Sequence, residues 1–186
     1  MEDLSLHILD IAENSINAGA STIGIFIRED SARNVLTVEI TDDGKGMDPS
    51  AVKSATDPFY TSRTTRRVGL GLPLLAEAAR AAHGHMDIQS TPGMGTRIAA
   101  TFELDHIDRK PIGNMAETIT TLLAGQPEID VTYRHERDGV SVSFSTHEIR
   151  QRLGSLPVNS AQVLNFIKDY LDQEENSLSH HASEQQ

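Results

Sequence analysis

The amino-acid sequence predicts an α+β protein, a two-layer sandwich in which helices cover one face of a mixed, largely antiparallel sheet. The main observation is the order of elements in residues 1–104, where helical segments alternate with two pairs of short strand-like segments joined by polar turns. Helices gathered on one face of such a sheet fit that order best. A second observation is the polar, proline-containing segment 105–113, after which a shorter α-β-β-α-α series begins. It predicts a linker and then a small α/β appendage at residues 114–172.

The chain opens with a helix that Asp3 or Ser5 can cap and that should end near Ile16, before Asn17-Ala-Gly19. Two segments rich in β-branched residues follow and predict paired strands. A glycine-rich stretch leaves the second strand, and Asp48-Pro49 then predicts the start of a short helix. The strands are expected at Thr22–Ile27 and Val35–Ile40, and the glycine-rich stretch covers Thr41–Met47.

Residues 56–69 show no periodicity and are rich in Thr, Ser and Arg, which predicts a loop. The leucines and alanines beyond it predict a helix from about Leu72 to Ala82, because Pro73 is tolerated only in a first turn. Two further strands, His85–Ser90 and Thr96–Leu104, are expected on either side of a Pro-Gly turn.

The second half of the chain predicts a helix, a hairpin and two more helices. Asn114 can cap the first helix, and Asp138-Gly139 is a strong hairpin turn. Ser160 can cap the last helix, which should end near Leu171, and the polar residues 173–186 predict a disordered tail. The sequence leaves open whether the hairpin folds within the appendage or extends the sheet of the first half. Its strands are expected at Ile129–His135 and Val140–Ser145, with a short helix from Thr146 to Gly154.

The composition excludes several classes of protein. The formal net charge is -11 over 186 residues, and we therefore expect no nucleic-acid partner, because phosphate binding needs clustered Lys and Arg. The absence of cysteine excludes disulfides and cysteine metal sites. The sequence has no apolar run of membrane-spanning length and no basic-then-apolar leader at Met1. We therefore expect no membrane partner and a cytoplasmic location.

The first predicted helix carries a narrow polar stripe formed by Asp10, Asn14 and Asn17. At about 100° per residue these side chains fall within roughly 60° of one another, away from the arc of Leu4, Ile8 and the other apolar residues. Such a stripe is either a solvated face or one wall of a polar cavity.

Three glycine-bearing segments favour the cavity. Asp42-Asp-Gly44-Lys-Gly46 follows a strand, so that a carboxylate stands at the strand end beside backbone that can approach a flat ligand. Gly69-Leu-Gly71-Leu opens a helix, where free amide groups attract phosphate. Gly93-Met-Gly95-Thr96 belongs to the next hairpin and can close the site.

In this order and spacing the chain resembles the GHKL ATPase superfamily of gyrase-type topoisomerases, the heat-shock chaperone of ninety kilodaltons, histidine kinases and MutL. Glu-Asn-Ser-Ile-Asn-Ala-Gly-Ala from Glu13 is most similar to MutL. Asp57-Pro-Phe-Tyr-Thr-Ser, Gly69-Leu-Gly-Leu and Ser90-Thr-Pro-Gly-Met-Gly-Thr96 are most similar to the catalytic domain of histidine kinases. The resemblance covers about residues 4–104 and implies a Bergerat-type ATP-binding fold.

The resemblance implies that ATP and Mg²⁺ bind here. It makes Asn14 the magnesium ligand and Asp42 the carboxylate that binds adenine, with Thr96 sharing a bridging water. Met47 and Phe59 become apolar walls of the pocket or of its lid, and ordinary core packing is the alternative for both. The remaining implied nucleotide contacts are Asn17, Gly44, Gly46, Thr61, Ser62, Arg63, Gly69, Leu70, Gly71 and Leu72. Arg63, Arg66 and Arg67 are expected in a nucleotide lid; binding of an acidic partner or of nucleic acid is the alternative.

One position departs from the pattern. Family members that hydrolyse ATP usually carry Glu four residues before the magnesium Asn, and this chain has Asp10 there. Aspartate is one methylene shorter and therefore a weaker candidate for the base that activates water.

The resemblance therefore supports two functions. The first is a regulatory protein kinase that phosphorylates a partner in trans, as small anti-sigma serine kinases of this fold do. Transfer in trans is expected because His7 is not expected to be a phosphoacceptor, which places the acceptor on another chain. The second is a nucleotide switch or slow ATPase that controls dimerisation or partner binding; a homodimer stays open. His83 and His85, and the tail pair His180-His181, are not expected to bind metal.

Overall fold

The computed structural model describes residues 3–55, 71–154 and 156–183, the last four of these by their backbone alone. Six strands form one sheet in the order β3-β4-β2-β1-β5-β6. All neighbouring strands are antiparallel except β1 and β5, which run parallel, and this confirms the predicted mixed, largely antiparallel α+β fold. The strands are β1 (Thr22–Asp30), β2 (Val35–Asp42), β3 (Met86–Thr91), β4 (Gly95–Glu103), β5 (Asp130–Arg137) and β6 (Val140–Ser145).

The helices within the described residues are α1 (Leu4–Asn17), α2 (Pro49–Ser54), α3 (Gly71–Ala81), α4 (Met115–Gly125), α5 (Thr146–Leu153) and α6 (Ala161–Ser183). Alternate residues of β1 and β2 are buried, which marks one face of the sheet as the core face. One hydrophobic cluster joins that face to the apolar stripes of four helices, represented by Ile8 of α1, Leu75 of α3, Ile119 of α4 and Ile167 of α6. The sandwich therefore buries the helices against a single face of the sheet.

The helix caps follow from the sequence. Asp3 rather than Ser5 caps α1, because its carboxylate accepts a hydrogen bond from the Leu6 amide. The next free amides of α1, those of Leu4 and Ser5, donate to the carbonyl groups of Pro111 and Ile112 at 2.9 and 2.7 Å. The segment predicted as a linker is therefore bound to the first helix.

The hairpin of the second half extends the sheet of the first half, which is one of the two arrangements that the sequence left open. β5 pairs with β1 in parallel over eight residues, from Thr22 opposite Asp130 to Glu29 opposite Arg137. None of the helices in the described ranges is long and apolar enough to span a lipid bilayer.

The predicted disordered tail is wrong for residues 173–183, which continue α6. Leu178, in this part of the helix, is only 3% exposed. Glu175 accepts a hydrogen bond from the Tyr133 hydroxyl at 2.7 Å and bonds the Nδ1 atom of His135 at 2.8 Å. The polar composition of the tail concealed these partners, because they lie on a strand about 40 residues away in the chain.

Candidate functional site

Asp42 is the last residue of β2, and its carboxylate is held on both sides. Ser15 on α1 donates its hydroxyl to Oδ2 at 2.7 Å, and the Gly44 amide donates to Oδ1 at 2.9 Å. A carboxylate oxygen has two lone pairs, so each oxygen can accept one further hydrogen bond. The half-buried Asp42 is therefore oriented and still able to bind a donor such as an exocyclic amino group.

The neighbouring Asp43 has a different task. Its carboxylate accepts hydrogen bonds from the hydroxyl and amide of Ser21 and from the amide of Thr22. The Ser21 hydroxyl makes the largest contribution, and together with these amides it lowers the pKa of Asp43 to about 2. Asp43 therefore fixes the glycine-rich loop to the start of β1 and stays charged, whereas Asp42 faces outward from the strand end.

Two glycines allow the backbone of this region to pack tightly. Gly46 has φ +65°, and a Cβ atom there would overlap the Thr91 carbonyl. Gly95 has φ +87°, and a Cβ atom there would overlap the Asp42 carbonyl. A side chain at either position would push the glycine-rich loop away from the β3–β4 turn. The sequence prediction that these glycines shape one site agrees with this close approach.

Ser90 joins the same two segments by hydrogen bonds. Its hydroxyl accepts from the Met47 amide at 2.8 Å and donates to the Gly95 carbonyl at 2.9 Å. The third bond, to the Thr96 hydroxyl at 2.9 Å, must then be donated by Thr96, because a serine hydroxyl has one hydrogen. Thr96 lies opposite Asp42 in the β2–β4 ladder and presents only acceptor lone pairs. The predicted water shared with Asp42 would find an acceptor in the Thr96 hydroxyl.

A cleft of about 300 Å³ opens at this end of the sheet. Asp42, Ser90, Gly95 and Thr96 line it, together with the exposed Met94. A larger hollow of about 430 Å³ lies around Gly24 and Thr132, on the face of the sheet away from the helices. Of these two hollows, the smaller one is lined by Asp42 and by the tightly packed Gly95, and we therefore take it as part of the candidate site.

The polar stripe of α1 borders the start of α3. A Cβ atom on Gly71 would overlap the Asp10 carboxylate, so the two residues are in direct contact. Oδ2 of Asp10 is buried and has no hydrogen-bond partner among the described residues. Asn14 is half-buried one turn further along α1, on the same side as Asp10. The stripe is therefore a wall between two elements rather than a solvated face at these two positions.

Asn17, the third residue of the polar stripe, is more exposed to solvent than Asp10 and Asn14. It is exposed, and its side-chain amide donates back to the Glu13 carbonyl of its own helix at 2.7 Å. Leu72 is half-buried against the hydrophobic core in the first turn of α3. The predicted contacts Phe59, Thr61, Ser62, Arg63, Gly69 and Leu70, and the predicted lid, lie outside the described residues.

His7, one turn before Asp10 on α1, is also buried. It is 1% exposed and lies against the backbone of Gly71 at the start of α3. Burial, reinforced by the positive charge of Lys110, lowers the pKa of His7 to about 4. The imidazole is therefore neutral and enclosed by the fold.

Sequence reasoning missed Ser15 and Ser90. Ser15 is 4% exposed and lies on the apolar side of α1. A hydroxyl in an apolar helix stripe needs a partner, and that requirement was the available signal. Ser90 gave no comparable signal, because its partners come from two loops that only the folded chain brings together.

The comparison with protein families shows to which family this chain belongs. A profile of the histidine kinase-, DNA gyrase B- and HSP90-like ATPases matches residues 2–106. The chain belongs to this ATPase family. The match covers α1, the strand ending at Asp42, the two glycine turns and α3, and the resemblance predicted from the sequence motifs is thereby confirmed.

Curated relatives of this ATPase family member include sensor proteins and an anti-sigma factor. A putative sensor protein of Shewanella frigidimarina is 35% identical over 103 residues, which is 54% of this chain and 16% of that protein. The sensor protein kinase FleS of Pseudomonas aeruginosa is 33% identical, over 59% of this chain and 27% of that protein. The anti-sigma F factor of Caldanaerobacter subterraneus is 33% identical, over 50% of this chain and 58% of that protein. The chain thus spans less than two thirds of each of these relatives.

Solved structures show the same fold. The ATPase domain of Aquifex aeolicus MutL, complexed with ADP, superposes with a TM-score of 0.50 at 14% identity, covering 82% of this chain and 68% of that one. The N-terminal domain of a DNA repair protein superposes with a TM-score of 0.54 at 16% identity, covering 78% of this chain and 53% of that one.

Proposed function

We propose that this ATPase-family chain binds Mg-ATP in the cleft at the end of β2 and passes the γ-phosphoryl group to a side chain of a protein partner. The observation that carries the proposal is the oriented Asp42 carboxylate. Ser15 and Gly44 occupy one lone pair on each oxygen, and the remaining lone pairs match the amino group of adenine. The acceptor oxygen of Thr96 lies opposite in the ladder and suits a water that bridges to the same base.

The residues around the polar stripe of α1 fit the charged end of the nucleotide. The amides at the start of α3, at Gly71 and Leu72, would hold phosphate oxygens, since a helix N-terminus attracts anions. Asn14 would offer its side-chain oxygen to magnesium, and the unpartnered, buried oxygen of Asp10 lies on the same side of α1. Magnesium, when bound, neutralises charge on the phosphates. The chain itself positions the nucleotide and provides the polar surroundings.

The identity of the relatives supports a kinase rather than a simple ATP-binding module. The relatives named above include a sensor protein kinase and an anti-sigma factor, so phosphorylation of a separate protein and control of a partner both occur as named activities in this group. Asp10 also favours transfer to protein. An aspartate reaches less far than glutamate, and a poorly placed base slows attack by water, whereas a neutral imidazole of a partner attacks through its own lone pair and needs no base.

The second function is a nucleotide-dependent switch or slow ATPase. Asp10 also favours this second function if it activates water weakly. Slow hydrolysis would then keep ATP bound while the chain changes its dimerisation or its partner contacts. In that case the phosphate leaves to solvent and no partner becomes labelled.

Labelling with γ-labelled ATP separates the two functions. The full chain is used to capture partners in the presence of Mg-ATP, and the captured mixture is then tested for label on protein and in free phosphate. We expect label on a captured protein and its loss with Asp42→Asn, while Asp43→Asn serves as the matched control. Label released only as free phosphate, with ATP binding intact, would establish the switch instead. Normal ATP affinity in Asp42→Asn would refute both, because both need the adenine contact.

A further inference from the structure

A second cluster of polar side chains lies at the other end of α3 and β4. His83 follows α3, Glu103 ends β4 and His106 lies in the turn beyond it. Each offers one ligand atom, and the three atoms lie within 4.8 Å of one another. β4 begins at Gly95 beside Asp42 and reaches Glu103 eight residues later, roughly 26 Å away at about 3.3 Å per residue. The cluster is therefore separate from the nucleotide cleft.

We propose that His83, Glu103 and His106 form a Zn²⁺ site. Two imidazoles and one carboxylate suit zinc, whereas Mg²⁺ and Ca²⁺ prefer oxygen ligands alone. The side chain of His83 is 71% exposed and that of His106 is 14% exposed, so the site is open on one side. Three protein ligands with one open side leave the fourth tetrahedral position to water.

The side chains are nearly in position for such an ion. Nδ1 of His83 lies 2.7 Å from Oε2 of Glu103, and the two imidazole rings meet edge to face with their centres 4.3 Å apart. Ligand atoms about 2.0–2.1 Å from a tetrahedral zinc lie about 3.4 Å from one another. Because no two of the ligand atoms are more than 4.8 Å apart, reaching that spacing requires a shift of at most about 1.4 Å, which the exposed His83 side chain can supply by rotation.

The backbone holds the three positions rigidly. The Glu103 amide donates to the Ala82 carbonyl at 2.8 Å, which ties the end of β4 to the end of α3. The His106 amide donates to the Glu103 carbonyl at 3.3 Å, which closes the turn that carries the third ligand. His83 has φ +53°, an uncommon conformation that turns the chain out of α3 at this point. A preorganised backbone reduces the ordering cost of binding an ion.

Asp108 is the positioning residue for His106. Its amide donates to Nδ1 of His106 at 3.1 Å, and its Oδ2 lies 4.0 Å from the same atom. A neutral imidazole that accepts at Nδ1 carries its proton on Nε2. Zinc binding at Nε2 would move that proton to Nδ1. The hydrogen bond from the Asp108 amide would then break, and the turn would have to shift so that the Asp108 carboxylate, 4.0 Å from Nδ1, could accept a hydrogen bond from it. Carboxylates that hold the second nitrogen of a metal-bound histidine commonly orient the ring in this way.

Local sequence carries little indication of this site. It favoured comparison of His83 with His85, but His85 is exposed and hydrogen-bonded to Thr101 through Nδ1 at 3.0 Å. From the sequence, His83 is not expected to bind metal, and the proposed site differs from that expectation. The partner that His83 meets is His106, which lies 23 positions later and reaches it only because β3 and β4 return the chain to the end of α3.

The test is a titration of the full chain with Zn²⁺ and with Co²⁺. We expect one ion per chain at this site and the intense visible absorption of four-coordinate Co²⁺. Affinity should fall at least tenfold in His83→Gln, Glu103→Gln and His106→Gln, and by a smaller factor in Asp108→Asn. Zinc should also raise the melting temperature of the native chain and not that of His106→Gln.

Matched controls separate this site from other histidines. His85→Gln changes an exposed neighbour, and His180→Gln with His181→Gln removes the pair at the chain's end; we expect the affinity of all these variants to stay within twofold of the native value. If His106→Gln unfolds, the exposed His83→Gln variant decides. Equal affinity in His83→Gln and the native chain, or no binding of either ion, would overturn the proposal. ATP binding is not part of the readout, so the outcome is independent of the proposed nucleotide site.

Discussion

Replacement of His135 by glutamine should remove a buried positive charge that fastens α6 to the sheet. Nε2 of His135 lies 3.1 Å from Oε1 of Glu29 on β1, and Nδ1 lies 2.8 Å from Oε2 of Glu175 on α6. The Tyr133 hydroxyl donates to the other oxygen of Glu175. The imidazole side chain is 6% exposed, so the cation is enclosed between two carboxylates. Without it, two negative charges face each other in a poorly solvated space.

The magnitude follows from the pKa of His135. Burial alone would lower it, but the hydrogen bonds to Glu175 and Glu29 and their charges outweigh burial and raise the pKa from 6.5 to about 9. This difference corresponds to about 3 kcal/mol of stability. Since the folded-state pKa is the higher one, the contribution is complete below pH 6.5 and is lost as the pH rises through about 9.

Glu29 titrates with the opposite sign. Burial opposes its ionisation, but the hydrogen bond with His135 and the charges of Arg137 and Arg109 outweigh burial and lower its pKa below 4.5. Its contribution is therefore present above pH 4.5 and is lost as the pH falls through the lowered value. The cluster of Glu29, His135 and Glu175 should stabilise the fold most between about pH 4.5 and 6.5.

Urea denaturation of the native chain and of His135→Gln at several pH values tests this reasoning. At about pH 6 we expect the variant to unfold with a free energy lower by about 3–5 kcal/mol, as when a buried charge cluster loses one member. The difference should narrow by about 3 kcal/mol when the pH is raised to about 10. His147→Gln, an exposed histidine bonded to Gln151, is the control and should leave the native pH dependence unchanged. A difference that stays constant across this range would show that His135 is not charged in the folded chain.

Three further predictions concern the site and the end of α6. Asp42→Asn should weaken ATP binding about 100-fold in equilibrium dialysis, because an amide nitrogen replaces a hydrogen-bond acceptor. Asp43→Asn should keep the affinity for ATP and lose about 1 kcal/mol of folding stability. Equal losses of ATP affinity in the two variants would contradict the different roles assigned to Asp42 and Asp43. Gly46→Ala should lower the free energy of unfolding in urea by about 1–3 kcal/mol, since its Cβ would overlap the Thr91 carbonyl, and an unchanged value would show that the loop can shift. Leu178→Ala should cost about 2–5 kcal/mol in the same assay, and a neutral result would mean that this end of α6 does not pack on the core.

The sequence predicted elements whose causes are local. The cap at Asp3, the hairpin turn at Asp138-Gly139 and the placement of Pro73 in the first turn of α3 each depend on a few neighbouring residues. Asp42 was also predictable, because a carboxylate between a β-branched strand and a glycine pair is a local pattern. Local sequence does not show that the Asp43 carboxylate accepts hydrogen bonds from Ser21 and Thr22, because these residues lie about 20 positions earlier in the chain.

Predictions failed or stayed open where the cause is a distant contact. The composition of residues 173–183 is typical of a frayed helix end. The hydrogen bonds that hold Glu175 in place come from Tyr133 and His135 on β5, which are distant in the chain. The position of β5 beside β1 was likewise undetermined, because the alternating apolar residues of a strand specify which face is buried but not which strand lies next to it. The cluster of His83 with His106 has the same origin.

The match to the ATPase family ends at residue 106, but the sheet does not. β5 pairs with β1 from Thr22 to Glu29, and β1 in turn pairs with β2, where Ile23 lies opposite Asp42. A fragment ending at residue 106 would leave β1 as an open edge strand and would uncover the apolar side that α4 and α6 bury. It would also leave Glu29 without His135. Only β1 therefore separates the strand that carries Asp42 from the second half of the chain. ATP binding has to be measured on the full chain, because a loss of affinity in a shorter fragment could come from a disrupted sheet rather than from the site.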